Sequence, residues 1–447
     1  MIPNIIRKEL LDNLQSRVFV ISFAFVLLLS AVCSFILIEN FNEKQRENSD
    51  YMAQHERVLD YLTPEAVGGI YLNPIRPLPQ LNMLFKGIKP IVGIPSIDQD
   101  TVPLLFPQTD FFLIIGILMS LMSLLFSFAA ISGEKQEGTL RAIFSNPVRR
   151  STLLIGKWIG GIVSLAIPFS ACYLFAILVT LILGNIAWTA TEWLSLLSIY
   201  FLGLIYISMF YLIGLYISAG TRQPYISMLV CLLIWAFFIL VLPTLPDYLG
   251  REFVPAPSAA KIMYENEIKF DEQRWKIINK IKAPYQDKGY TEMEINDLTK
   301  EEVNNAIQPL YEQRHKANKD FENKMIAQAL VATATAMLSP YASFTLAGNE
   351  LAATGISNQI HFNNQRQQYE ELMRDYIKQR QQEEYARDKT VNDGTQLDLS
   401  GRPKFEYKDV PFRLRIIAAA VPTLFLVIFN ILFFVLAFRG FLRYDVR

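Results

Sequence analysis

The sequence predicts an all-α polytopic membrane protein: about six transmembrane helices, with a mainly helical extracytoplasmic domain between the fifth and sixth spans. Three observations predict it. Long uncharged runs reach bilayer length, charges are segregated into other stretches, and Lys and Arg gather in alternate short connections. Of 447 residues, 52% are hydrophobic and the mean hydropathy is +0.24. Lys+Arg and Asp+Glu balance at 42 each. They crowd into 250–325 and 360–415 and almost vanish elsewhere, as water-facing segments between membrane spans would require. Balanced charge with no basic patch excludes a nucleic-acid binder.

The elements follow in order. Residues 1–17 carry Arg7, Lys8 and Arg17 and read as a cytoplasmic interfacial helix. The first apolar run, 18–38, ends at Glu39. It is too long for the apolar stretch of a signal peptide and lacks a small-x-small cleavage site, so it is a retained span. Residues 39–109 form an extracytoplasmic segment. Further spans are expected at 110–131, 153–183, 193–218, 225–245 and 415–438, with a cytoplasmic connection over 132–152 and a tail over 439–447.

Orientation comes from the short connections. Lys135, Arg141, Arg149, Arg150 and Lys157 lie between the second and third spans, and Arg222 between the fourth and fifth. Arg439, Arg443 and Arg447 follow the last span, whereas Gly184–Glu192 has no Lys or Arg. Six spans then place both termini in the cytoplasm and the segments 39–109 and 246–412 outside. The uncharged run 326–346 would be a seventh span by length. It is rich in Ala and Thr, is interrupted by Ser339-Pro340, and would send the Arg-rich C-terminus outside. It is read as a buried or membrane-skimming part of the outer domain.

Within 246–412 two apolar stripes recur at helical spacing. Val303, Ile307, Leu310, Ala317 and Phe321 form one, and Phe362, Tyr369, Leu372 and Tyr376 the other. They predict amphipathic helices that pair as a hairpin or short coiled coil. The 39–109 segment carries Pro74, Pro77, Pro79, Pro90, Pro95, Pro103 and Pro107, which predict extended, turn-rich backbone.

Little in the chain could carry chemistry. Cys33, Cys172 and Cys231 all lie in apolar runs and read as packing residues. His55, His315 and His361 are too dispersed for metal-ligand spacing, so no metal site is expected. No GxxxxGK[ST] loop, HExxH or GxSxG occurs. The spans hold almost no ionisable side chain, which weighs against a proton- or sodium-coupled carrier. Energy must enter from outside the spans.

The informative stretch is the connection after the second span. Gly138-Thr139 can start a short helix, Leu140, Ile143 and Phe144 give it an apolar face, and Asn146-Pro147 stops it. Such a helix could dock its apolar knobs in a groove on another protein, or lie on lipid headgroups. Composition leaves the two open.

Glu134-x-x-x-Gly138-Thr139-Leu140, Ser145-x-Pro147-Val148-x-Arg150 and Gly156-Lys157 together resemble the pattern of ABC-2 type transporter permeases. In that family this stretch forms the coupling helix gripped by an ATPase subunit. The N-terminal Arg7–Arg17 segment is similar to the interfacial helix that opens those permeases. Ser339–Phe344, Leu351-Ala352-Ala353-Thr354-Gly355 and Tyr444-Asp445-Val446 resemble a subgroup with a large extracytoplasmic domain between the fifth and sixth spans, which includes gliding-motility and copper-enzyme-maturation (NosY-like) permeases.

The resemblance implies a permease without its own ATPase in a bacterial inner membrane. It would assemble with a second copy or a related permease and with a cytoplasmic ABC ATPase dimer that binds ATP and Mg; no cofactor belongs to this chain. Glu134, Gly138, Thr139, Leu140, Arg141, Pro147 and Arg149 are the implied coupling residues. The output would be export of a substrate, or force passed to an envelope partner through 246–412. The competing reading is a membrane-anchored structural or sensor protein whose outer helices bind a partner without an ATPase.

Overall fold

The computed structural model describes residues 2–59, 76–87, 110–145, 148–184, 188–255, 268–387 and 401–442, with positions 74, 261, 264 and 399. Among the described residues all regular structure is helical. Six helices are long and apolar enough to cross a membrane: Arg17–Ala53, Phe111–Gln136, Arg150–Leu183, Ala190–Gly220, Pro224–Gly250 and Phe412–Leu442. Each contains one of the expected runs.

The helices are α1 (Ile2–Leu14), α2 (Arg17–Leu59), α3 (Ser120–Ser127), α4 (Ser132–Gln136), α5 (Thr139–Phe144), α6 (Arg150–Leu183) and α7 (Ala190–Gly220). They continue as α8 (Pro224–Ala236), α9 (Leu245–Phe253), α10 (Lys269–Gln286), α11 (Glu292–Ala336), α12 (Pro340–Leu351), α13 (Ile356–Arg387) and α14 (Phe412–Leu442). A helical turn at Phe111–Leu113 and a π-helical stretch at Ile114–Met119 lead into α3. A second π-helical stretch, Phe237–Val241, and a 3₁₀ turn, Leu242–Thr244, link α8 to α9.

The chain forms two compact units. One comprises Met1–Ile88, Phe106–Pro243 and Ala336–Arg447; the other, Lys89–Leu105 and Thr244–Thr335. The expected 246–412 domain is therefore divided near residue 336.

In the first unit α7 is the hub, apolar on all sides and packed against α3, α6, α8, α12 and α14. Tyr206, Met209, Phe210 and Tyr211 are fully buried on it. Several hydroxyl and amide groups in this interior bond to neighbouring helices, as an apolar environment favours. Tyr206 donates to Gly116 O (2.7 Å), Ser123 to Ile207 O (2.8 Å), and Asn430 to Ile205 O (3.0 Å).

Three expectations for the outer segments change. First, α2 continues far beyond Ile38, because charge ends a membrane span but not a helix, and no Gly or Pro occurs before Pro64. In 39–109, positions 76–79 are non-helical, as the prolines predict, and Gln80–Met83 makes one 3₁₀ turn. Pro90, Pro95, Pro103 and Pro107 lie outside the described residues.

Second, the 326–346 run is two elements, the end of α11 and most of α12, parted at Met337–Ser339. Ser339 caps α12 by accepting from Ala342 N and donates to Phe238 O (3.0 Å). At 12 residues, α12 is about 18 Å long and cannot span a bilayer. It is buried in the first unit, with Phe344 stacked on Tyr206 (4.5 Å) and edge-on to Phe112 (5.5 Å). Gly116 and Gly348 admit Tyr341 and Phe112 at distances no Cβ would allow.

Third, the two amphipathic stripes fall in different compact units. Phe270 of α10 lies edge-on to Tyr311 (5.1 Å) and under Arg314 (4.6 Å) of α11, both outside the stripe, of which Ile307 is buried. The α13 stripe is covered by the non-helical segment before α14. Phe362 and Tyr369 meet Phe405 at 5.9 and 5.4 Å, and Met373 and Ile377 meet Leu399. Leu372 lies off that stripe and is exposed.

Candidate coupling site

Helices α4 and α5 are joined at Gly138, whose φ of +76° is left-handed and suits glycine. Thr139 opens α5, and its hydroxyl reaches back to Glu134 O (3.3 Å). Two helix fragments thus meet at a fixed bend over 132–144.

The apolar face of α5 points inward. Leu140 is 1% exposed and belongs to the main core. Ile143 and Phe144 pack partly against that core, Phe144 beside Phe441 (6.0 Å) and under the Arg150 guanidinium (5.6 Å). Arg150 also donates to Leu442 O (2.7 Å), tying the start of α6 to the end of α14. Apolar knobs turned outward, as either of the two arrangements left open by the sequence would need, are not what the fold presents. Its exposed residues are Gln136, Glu137, Gly138, Thr139, Arg141, Ala142 and Ser145, with Arg149 exposed just before α6. Pro147 lies outside the described residues.

Glu134 has a different role from Arg141. Its carboxylate accepts from Lys157 Nζ at 2.9 Å and from Lys8 Nζ at 3.4 Å. Lys157, on α6, also donates to Glu9 on α1, and its side chain is 2% exposed. Two cations and two carboxylates form a balanced cluster joining α1, α4 and α6, buried except for Lys8. Charges at such depth persist only when paired. The first and last motif residues, Glu134 and Lys157, meet here as an ion pair.

Glycine lets α1 come close enough to complete the cluster. A Cβ at Gly156 would lie 2.6 Å from Ile5, and one at Gly160 2.8 Å from Glu9. Farther along, Asn13 Nδ2 donates to Ser164 Oγ (3.1 Å). Ile5, Glu9 and Asn13 thus follow Gly156, Gly160 and Ser164 in step, so α1 lies lengthwise along α6. Small residues four apart allow this backbone approach.

The other flank of α4 is clamped to the end of α7. Lys135 Nζ donates to three carbonyls there, those of Ala219, Thr221 (2.9 Å) and Ser218 (3.4 Å). Ser218 Oγ accepts from Ile131 N and Ser132 N (3.0 and 2.9 Å). A cation on unpaired C-terminal carbonyls is a favourable cap. The exposed bend at 136–142 is therefore held from both sides.

A family model for "ABC-2 family transporter protein" matches residues 3–446. The chain belongs to that family. It is a membrane protein and a permease subunit of the ABC-2 type, and the match runs through the clamp and through 39–109 and 246–412. No curated protein matches the sequence.

Lys8, Glu9 and Lys135 were not among the coupling residues read from the sequence, and Lys157 entered only as the last residue of the motif. For Glu9 there was a signal, a carboxylate on the apolar stripe Ile5, Ile6, Glu9, Asn13. For α6 it was the Gly156-x-x-x-Gly160 spacing, the small-xxx-small pattern of close helix packing.

Proposed function

We propose that this permease couples ATP hydrolysis by a separate cytoplasmic ABC ATPase to movement of its membrane helices. Both termini and the 132–152 connection lie in the cytoplasm of a bacterial inner membrane, as the Lys and Arg distribution requires. Two permeases, identical or related, assemble with an ATPase dimer that holds ATP and Mg. The chain fits the subgroup with a large extracytoplasmic domain between the fifth and sixth spans.

The observation that carries the reading is the exposed, polar bend 136–142 seated on a rigid clamp. A partner that presses this bend pushes α1 and α6 through Glu134–Lys157–Glu9, and α7 through Lys135. Gly138, Thr139 and Arg141 are the contact residues, with Arg149 beside them. Glu134 and Leu140 hold the bend in place. The resulting movement drives export of a substrate or passes force to an envelope partner through the outer segments.

Co-purification tests this reading. Arg141→Glu, on an exposed side chain, should leave expression and membrane insertion intact and reduce ATPase recovery at least tenfold. Leu140→Asp, which buries a charge, should instead lower the yield of folded permease. Full ATPase recovery with Arg141→Glu and Thr139→Arg combined would refute this docking surface.

A further inference from the structure

We infer that α9 and the charge-free end of α11 form a monotopic wedge that sits in the membrane interface and contacts phospholipid, on the face opposite the 136–142 bend. Pro224 to Thr244 is a continuous helical path about 32 Å long, already the thickness of the hydrocarbon layer. The chain therefore leaves the hydrocarbon layer near Thr244, and α9 starts at headgroup level. Three spans separate the bend from this point, which puts α9 on the other side of the membrane.

Composition and packing agree with that depth. One side of α9 meets α11: a Cβ at Gly250 would lie 3.1 Å from Ala332 Cβ, and Gln328 Nε2 donates to Val254 O (3.1 Å). The other side turns out Leu245, Tyr248 and Phe253, the last two each 68% exposed. In sequence the same short helix also holds Asp247, Arg251 and Glu252, the mixed composition of an interfacial helix. Exposed aromatic residues at a span end match the aromatic belt of the headgroup region.

On α11, residues 326–336 carry no charge, yet Leu330 is half exposed. Thr333 and Thr335 donate to Ala329 O (2.7 Å) and Val331 O (3.1 Å) of their own helix, so their hydroxyls need no water. Residues 301–325 of the same helix, by contrast, are densely charged. The change falls where α9 packs, which is expected of a helix that dips from water to lipid.

The test uses the full chain in nanodiscs of phosphatidylcholine and phosphatidylglycerol, with the three native cysteines replaced by alanine. A fluorophore is placed at Tyr248→Cys, Phe253→Cys or, as a water-exposed control on α10, Glu272→Cys. A nitroxide high on the lipid chain should quench the labels at 248 and 253 at least threefold more than the control, and aqueous iodide should show the reverse order. Iodide quenching at 248 and 253 equal to the control overturns the inference. So does resistance to both quenchers, which would mean that protein covers this face. If the cysteine variants fail to insert, a photoreactive phospholipid applied to the unmodified chain decides. Adducts on 245–253 support the wedge, and adducts confined to residues outside 245–253 and 326–336 overturn it.

Discussion

At the residue scale the clearest consequence concerns Lys157. It sits 2% exposed between Glu9 and Glu134, so removing either the cation or both carboxylates leaves a buried charge unpaired. Such a loss costs about 3–5 kcal/mol. Lys157→Met should therefore lower the unfolding temperature of the solubilised permease strongly. Glu134→Gln, which leaves Glu9 in place, should lower it less. A thermodynamic cycle between Lys157→Met and Glu9→Gln should show coupling above about 1 kcal/mol; additive effects would remove the cluster from the account.

Ala353 gives a second residue-scale prediction. Its φ of +60° is left-handed, a conformation that costs a residue with a Cβ about 1 kcal/mol. Its carbonyl accepts from Arg76 (2.9 Å) and from Asn358, which hold the turn in that shape. Ala353→Gly should raise the unfolding temperature by at most about one degree, and Ala353→Val should lower it, measured in the same detergent. The Leu351–Gly355 motif was visible in the sequence. Its cause was not, because the residues that fix the turn come from positions about 280 earlier and 5 later in the chain.

At the element scale the account depends on α1 lying against α6. Gly156→Val or Gly160→Leu places atoms where Ile5 and Glu9 now sit, and neither backbone can yield without parting the helices. Either variant should insert normally yet make α1 sensitive to protease added from the cytoplasmic side. A wild-type digestion pattern would contradict the packing. Helix type and span positions were legible from the sequence because they depend on local composition and length. The inward turn of Leu140 was not, since a short amphipathic helix looks the same whether its apolar face meets a partner or its own core. Contacts from other elements, such as those of Phe441 and Arg150 with Phe144, set that direction.

At the scale of the whole molecule, the six spans and their charge-poor interior were readable because the bilayer imposes a length and forbids lone charges. The division of 246–412 was less readable. The stretch is continuous in sequence, yet α12 returns to the membrane unit by stacking aromatic rings on Tyr206 and Phe112, contacts that no local pattern announces. The stripe on α13 likewise has a local period but a non-helical partner.

The central claim is that an ATPase presses on the exposed bend 136–142 while buried residues beside it carry the load. Single cysteines at Glu137, Thr139, Leu140 and Arg141, labelled in inside-out vesicles with a membrane-impermeant thiol reagent, test it directly. The cysteines at 137, 139 and 141 should react without the ATPase and be protected at least fivefold when it is bound, whereas the one at 140 should stay unreactive throughout. Labelling from the opposite side of the membrane, or equal reactivity at all four positions with and without the ATPase, would contradict the account.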